Sequence, residues 1–404
     1  MILLAGAELV LPDRILTDAT LTIDGDRIAE IRPNEGHGAP SCAFQGHYIV
    51  PGFIDIHVHG VDGVDSLDEG EPIAAMARAL PRYGVTAFCP TTVACAPEAL
   101  RRVLDQVRLA RSRPVRGTAR VLPAHLESNF INPAFAGAQP LSCLRSPAAA
   151  LGEWAGGSRA DAAAAFSPGD ILREIERAAP DVGIVTLAPE LQGGVELIAW
   201  LAARHHRVSL GHSSADYDQA VAAIAAGASG ATHLFNRMPA LNHRAPGLVG
   251  AVLSREDICA ELICDGIHVH PAMLQAAIAA KHPSRVVAIS DGTSVAGTLA
   301  RTNGATGRLG NRVIAARDGA AYLDDGTLAG SALTMDGAFR ALVSRAGVSL
   351  VDAATMCATT PARELRLVGH GLLALDAVAD LTILDSQLSV VQTYVGGQLA
   401  YSRS

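Results

Sequence analysis

The sequence predicts an α/β protein: a (β/α)8 TIM-like barrel over residues 50–364, with a small β-sandwich domain formed by the N- and C-terminal segments, 1–49 plus 365–404. Three observations predict it. Eight apolar, β-rich bursts recur along the middle of the chain. Alanine-rich stretches with helical spacing separate them. Both ends of the chain read as short strands instead.

The bursts run, in order, "YIVPGFIDIHVHG", "VTAFCPTT", "RVLPAHLES", "IVTLAPE", "RVSLGHSS", "GATHLFNRM", "AELICDGIHV" and "VVAISDGT". Segments between them, such as "PIAAMARALPRYG" and "DQAVAAIAAGA", place apolar residues at helical intervals and end at glycine. Strands alternating with helices imply a parallel sheet, and eight such units close into a barrel. The first 49 residues hold short alternating strands with turns at "LPD" and "DGDR". The last 40 or so hold "GLLALDAVADLTILD" and "VQTYVGGQLAYS", and the two β-rich ends most simply pair with each other. Two connections are long, 128–170 after the third burst and 294–330 after the eighth. Loops of that length are expected at the strand C-terminal face, where they form lids and pocket walls.

Bulk properties narrow the function. Apolar residues make up 49% of 404 but aromatics only 4%, so the core is aliphatic. A net charge of −8 argues against nucleic acid or an anionic membrane as partner, while leaving room for a small anionic substrate in a local pocket. The seven cysteines (Cys42, Cys89, Cys95, Cys143, Cys259, Cys264, Cys357) are odd in number and lack CxxC spacing, which suits a reduced, cytoplasmic protein. The opening "MILLAGAELVLP" lacks a basic region and carries Glu8, so it reads as a first strand and not a signal peptide. No apolar run reaches the roughly 18 residues of a membrane span. Lys281 is the only lysine; following "PAMLQAAIAA" and preceding His-Pro, it is expected to cap a helix end in solvent. Schiff-base chemistry and a carboxylated-lysine metal bridge are therefore not expected.

In a barrel, function collects at the C-terminal ends of the strands. Polar residues fall there in burst after burst: His57 and His59, Glu127, His212, His233, Asp265 with His268, and Asp291. In "FIDIHVHG" the two histidines, two apart in a strand, face the same way at a spacing of about 6.6 Å. One such histidine is unremarkable; repeated placement at one rim points to a metal site. The nitrogen and oxygen donors suit zinc, iron(II), manganese or cobalt. With no lysine to carboxylate, the central anionic ligand must be an ordinary carboxylate, and Glu127 is the candidate. Asp291 suits a general base.

The segments "PGFIDIHVHG", "PAHLES", "TLAPE", "GHSSA", "THLFNRMPALNHRAPG", "DGIHVHP", "SDGT" and "GTLAGSALTM" occur in the order found in the N-acetylglucosamine-6-phosphate deacetylase family of the amidohydrolase superfamily, which this chain resembles over nearly its whole length. The most specific is "THLFNRM" followed by an arginine and "PG". The resemblance implies that Glu127, His212 and His233 hold the principal divalent metal, zinc or iron, with Asp291 as general base and then general acid. It implies that His233 and the metal polarise the acetyl carbonyl. Some family members lack the HxH histidines; this chain keeps His57 and His59, leaving one or two ions per subunit open. Asn236, Arg237, Arg244 and His268 are the substrate-phosphate candidates, since arginine forks match phosphate oxygens. Arg244 matches a family arginine that reaches the neighbouring subunit's site, which implies a homodimer.

Two departures affect the substrate. Ser128 and Asn129 replace the family's Gly-Pro, and Gln139 replaces its sugar-binding histidine. Both changes are expected beside the sugar. The expected reaction is hydrolysis of N-acetylglucosamine 6-phosphate to glucosamine 6-phosphate and acetate. The alternatives are a related N-acyl amino-sugar phosphate, such as the galacto epimer, or a non-catalytic barrel scaffold. Glu190 is expected to orient the rim, and Cys89 and Cys95 to be buried thiols.

Overall fold

A computed structural model describes residues 1–33, 42–158, 165–297 and 304–403. Residues 159–164 and 298–303, inside the two long connections, lie outside the described residues. Eight strands follow the eight bursts: β1 (Phe53–Val58), β2 (Val85–Thr92), β3 (Ala124–Glu127), β4 (Val182–Leu187), β5 (Arg207–Leu210), β6 (Ala228–Ala231), β7 (Cys259–Ile263) and β8 (Val286–Ile289). They pair in sequence order, all parallel, from β1 to β8. The third burst is split. Arg120–Val121 pairs with β2 before the chain reaches Pro123, which has no N–H for the ladder, and β3 resumes at Ala124.

Closure between β8 and β1 runs through the residues that follow both strands. Asp291 N donates to His57 O at 2.9 Å, and His59 N and Gly292 O are 2.8 Å apart. Ser290 Oγ adds a buried bond to Asp55 Oδ2 at 2.5 Å. The barrel's seam is thus also the place where the HxH motif meets Asp291.

The chain ends form a separate β unit. Its sheet runs Gln398–Ser402, Val390–Val395, Leu381–Leu384, Tyr48–Pro51, Ile2–Val10, Ile15–Asp24, Arg27–Pro33, with Cys42–Ala43 beside Ile2–Val10. The two ends of the sequence meet where Leu381–Leu384 pairs antiparallel with Tyr48–Pro51. This unit has its own core, including Leu4, Leu9, Leu21, Ile23, Ile49, Leu381 and Ile383, all at most 1% exposed.

The connection after β8 contains an antiparallel meander, Thr306–Leu309, Arg312–Arg317, Ala320–Tyr322 and Leu328–Ser331. It is bonded to the Asp291 turn: Ser331 N donates to Asp291 O at 2.8 Å, and Ser294 Oγ donates to Arg308 O at 2.7 Å. Its apolar face packs on Val93 and Ala138, so the two long connections meet over the barrel.

Lys281 departs from expectation. It ends the helix Pro271–Lys281, but it is 0% exposed, and its ammonium donates to Arg255 O. Arg255 is the C-cap of the preceding helix, Gly247–Ser254. The lysine therefore caps a neighbouring helix from inside, its stem buried against the packed helix end.

Candidate metal centre

Glu127 is the last residue of β3. His57 and His59 end or follow β1, while His212, His233 and Asp291 each stand two residues beyond β5, β6 and β8. Those three share an unusual backbone: φ is +47° at His212, +32° at His233 and +48° at Asp291. Non-glycine residues hold this left-handed conformation only where the surroundings enforce it. Here Asn132 N donates to His212 O at 3.0 Å, Asn236 N to His233 O at 3.0 Å, and Ser331 N to Asp291 O at 2.8 Å. The His212 and Asp291 turns are thus clamped from other segments, and the His233 turn closes on itself.

All six side chains are buried and converge on Glu127. Oε1 of Glu127 lies 2.8 Å from His212 Nε2 and 2.9 Å from His233 Nε2, and those two nitrogens are 3.1 Å apart. Oε2 lies 3.5 Å from His59 Nε2. The Nε2 atoms of His57 and His59 are 3.3 Å apart, and each is 3.3 Å from Asp291 Oδ1. One carboxylate therefore faces His212 and His233 with Oε1 and His59 with Oε2, while His57 Nε2 lies 3.8 Å from Oε1. Glu127, His212 and His233 form one compact ligand group, and His57, His59 and Glu127 a second.

The electrostatics ask for positive charge. Burial would push the His57 imidazole towards neutrality, but Asp291, Glu261 and Glu127 outweigh it and raise the pKa to about 10. Burial likewise opposes ionisation of Glu127, yet His212, His233 and His57 hold it well below the usual carboxylate range. Asp291 is held down, against its burial, by His57 and His59. The tautomers agree. His212 Nδ1 donates to Phe135 O at 2.8 Å, a carbonyl that can only accept, so its Nε2 lone pair faces Glu127. His57 Nδ1 donates to Glu261 Oε2 at 3.1 Å, turning its Nε2 lone pair inward. Lone pairs facing carboxylate oxygens repel unless a proton or a cation lies between them. The donor set fits a divalent ion bound by imidazole and carboxylate.

The substrate-side candidates lie on the turn after β6. Asn236 folds back, donating to His233 O at 3.2 Å. Arg237, with φ +54°, lays its guanidinium where a Cβ on Gly137 would stand. Arg244 is exposed, and its side chain has no hydrogen-bond or ion-pair partner among the described residues. His268 donates Nδ1 to Asp265 Oδ2 at 2.6 Å after β7. Glu190 orients the rim: it accepts from Asn132 Nδ2 at 2.8 Å, Ser213 Oγ at 2.7 Å and Ser214 N at 2.6 Å, pinning the turn that carries His212. Cys89 and Cys95 are buried and their thiols pushed up by burial.

Gln139, expected beside the sugar, reaches the candidate centre itself: its amide Nε2 donates to Glu127 Oε2, while its Oε1 accepts from Ala94 N at 2.7 Å. Asn129 donates to Cys95 O at 2.8 Å and Cys143 O at 2.7 Å; Ser128 donates to Thr186 O at 2.5 Å. These three residues hold the loop and the Glu127 carboxylate.

The sequence reading missed Glu261 and His125, which with His57 make a third buried group. His125 spends both ring nitrogens on the framework, on Ile56 O at 2.9 Å and Thr186 Oγ1 at 2.8 Å. A signal existed: His125 stands between Ala124 and Leu126, and Glu261 between Ala260 and Leu262, each a titratable side chain between apolar neighbours in a strand.

With that geometry in hand, comparison with known proteins is specific. The model of the amidohydrolase family matches residues 48–400. N-acetylglucosamine-6-phosphate deacetylase from Rattus norvegicus is 36% identical over 401 residues, covering 96% of this chain and 90% of that protein. The Bacillus subtilis (strain 168) enzyme of the same name is 30% identical over 409 residues, covering 99% and 97%. Among solved structures, a mutant of the Mycobacterium smegmatis N-acetyl-D-glucosamine-6-phosphate deacetylase in complex with N-acetyl-D-glucosamine-6-phosphate superposes with a TM-score of 0.87 at 29% identity, covering 99% of both chains. The Thermotoga maritima N-acetylglucosamine-6-phosphate deacetylase gives 0.84 at 29%, covering 100% of both. The chain belongs to the N-acetylglucosamine-6-phosphate deacetylase family of the amidohydrolases.

Proposed function

We propose that Glu127, His212 and His233 hold a divalent metal, zinc or iron, in an enzyme that hydrolyses N-acetylglucosamine 6-phosphate to glucosamine 6-phosphate and acetate. The observation that carries this reading is the Glu127 carboxylate, buried, ionised and faced by two pairs of imidazole nitrogens with Asp291 on the same centre. A bound ion supplies Lewis acidity to the acetyl carbonyl and acidifies water. The chain's own residues do the rest. Asp291, ionised and clamped at the strand end, takes the proton of the attacking water and passes it to the leaving amine. His233 turns Nε2 to Glu127 and His212, while its Nδ1 is buried without a hydrogen-bond partner among the described residues. His57 and His59 offer a second ion position across Glu127.

Asn236, Arg237 and His268 surround the phosphate end. Arg244, exposed and with no side-chain partner among the described residues, suits a phosphate in a neighbouring subunit, which supports a homodimer. Among the described residues no helix is long and apolar enough to cross a membrane, and six cysteines are unpaired, in keeping with a cytoplasmic setting.

The test combines elemental analysis with kcat/KM on gluco, galacto and manno N-acetyl hexosamine 6-phosphates. Wild type should prefer the gluco compound, and Glu127→Gln should lose most bound metal together with nearly all activity. Full metal content in Glu127→Gln would remove the ligand assignment. A preference for the galacto compound would reassign the substrate.

A further inference from the structure

We infer that Gln139 sets the order in which the two halves of the metal centre fill, holding the His57–His59 half at lower affinity than the His212–His233 half. This rests on the metal reading above. Glu127 Oε1 faces His212 and His233, with His57 Nε2 farther off at 3.8 Å, while Oε2 faces His59 at 3.5 Å. Only Oε2 carries an added donor, the Gln139 amide. The amide cannot rotate out of this role at no cost. Its carbonyl oxygen is held by Ala94 N at 2.7 Å, so flipping it would set two oxygens against each other at Glu127 and two N–H groups against each other at Ala94. Gln139 is 3% exposed and its own N donates to Ala136 O at 3.0 Å, so both ends of the residue are fixed.

The chemistry follows from what an amide nitrogen lacks. It has N–H groups but no lone pair to offer a metal, so it can only compete with a cation for Oε2 electron density. A histidine at the same position could turn a lone pair to the centre; glutamine cannot. Oxygen Oε1 meets no such competitor among the described residues. The first ion therefore takes the His212–His233 half, and a second, on the His59 side, meets Oε2 already holding a fixed donor. Losing a group that hydrogen-bonds a metal ligand ordinarily costs about 10–100-fold in affinity; here the effect should have the same scale and the opposite sign, because the donor sits on the oxygen that the second ion needs.

The experiment is a metal titration of the metal-free protein with Zn(II) and, for its visible absorption, Co(II), with stoichiometry checked by elemental analysis. Wild type is expected to bind one ion tightly and a second at least about tenfold more weakly. Gln139→Leu, which keeps bulk but removes the donor, should tighten the second ion about 10–100-fold and leave the first within a few-fold. Gln139→Met should do the same if the leucine variant folds poorly, and adding His59→Ala should abolish the gain. Two ions of equal affinity in wild type, or a second ion unmoved in both variants, would overturn the inference. Failure of the metal reading looks different: Glu127→Gln would then still hold its first ion.

Discussion

Glu261 Oε2 lies 3.1 Å from His57 Nδ1, so a carboxylate inside β7 decides which nitrogen of a β1 histidine carries the proton. With Nδ1 protonated, Nε2 presents its lone pair towards His59 and Asp291. Glu261 is itself held ionised, against its burial, chiefly by the bond from His57. An amide here can present either end, so Glu261→Gln loosens both tautomer and ring orientation. It should weaken the ion on the His57–His59 side about 10–100-fold while sparing the first. Metal titration with elemental analysis reads both, and equal weakening of the two would contradict the assignment.

Asp291→Asn should keep the fold, because the seam is bonded through the backbone N and O of residue 291. It should also keep the first ion. Turnover should nevertheless fall by at least roughly 10²-fold, the scale of positioned general-base catalysis, since an amide cannot take the proton. A wild-type kcat in this variant would exclude the role.

Arg244→Ala should act on the phosphate alone. A charged hydrogen bond contributes about 1.5–3 kcal/mol, so kcat/KM for the phosphorylated substrate should drop by roughly 10–200-fold. Slow turnover of unphosphorylated N-acetylglucosamine should be little changed. If the residue serves a neighbouring subunit, mixing Arg244→Ala with a Glu127→Gln partner should restore activity through hybrid dimers in which only one subunit's intact site meets the other's arginine. No restoration would place Arg244 in its own chain's site or in none.

Lys281→Met should change the pH dependence of stability. Burial lowers the Lys281 pKa below 10.5, so between the folded pKa and 10.5 the unfolded chain binds more protons than the folded one. Stability from this group therefore rises with pH across that window, and the cost of burying the ammonium is fully felt below it. Methionine carries no such cost. The Tm of the variant minus that of wild type should be greatest at neutral pH and shrink towards pH 10. A difference that is flat with pH would mean the ammonium is as well satisfied folded as unfolded.

Much of the site could be read from single segments. His57, His59, Glu127, His212, His233 and Asp291 each sit at the end of an apolar run, and strand ends of a parallel barrel share one face. Period-two spacing then told which way the HxH pair points. Gln139 was different. Its place in a loop was legible, but its partner was not, because turns between 128 and 139 decide whether the amide reaches sugar or Glu127. Lys281 failed for a similar reason: local spacing marked a helix end, and only packing of the next helix buried it.

The sequence by itself therefore determined the eight-unit barrel, the β-rich ends and the rim position of the ligands, because hydrophobic periodicity and strand direction are local properties. Tertiary structure alone decided that His212 and His233 face Oε1 of Glu127 and His59 faces Oε2, that Glu261 sets the His57 tautomer, and that Gln139 leans on Oε2. Those are contacts between residues 12 to 204 positions apart, at separations near 3 Å. At that range a turn of a loop or a side-chain rotation chooses the partner, and no local pattern encodes it.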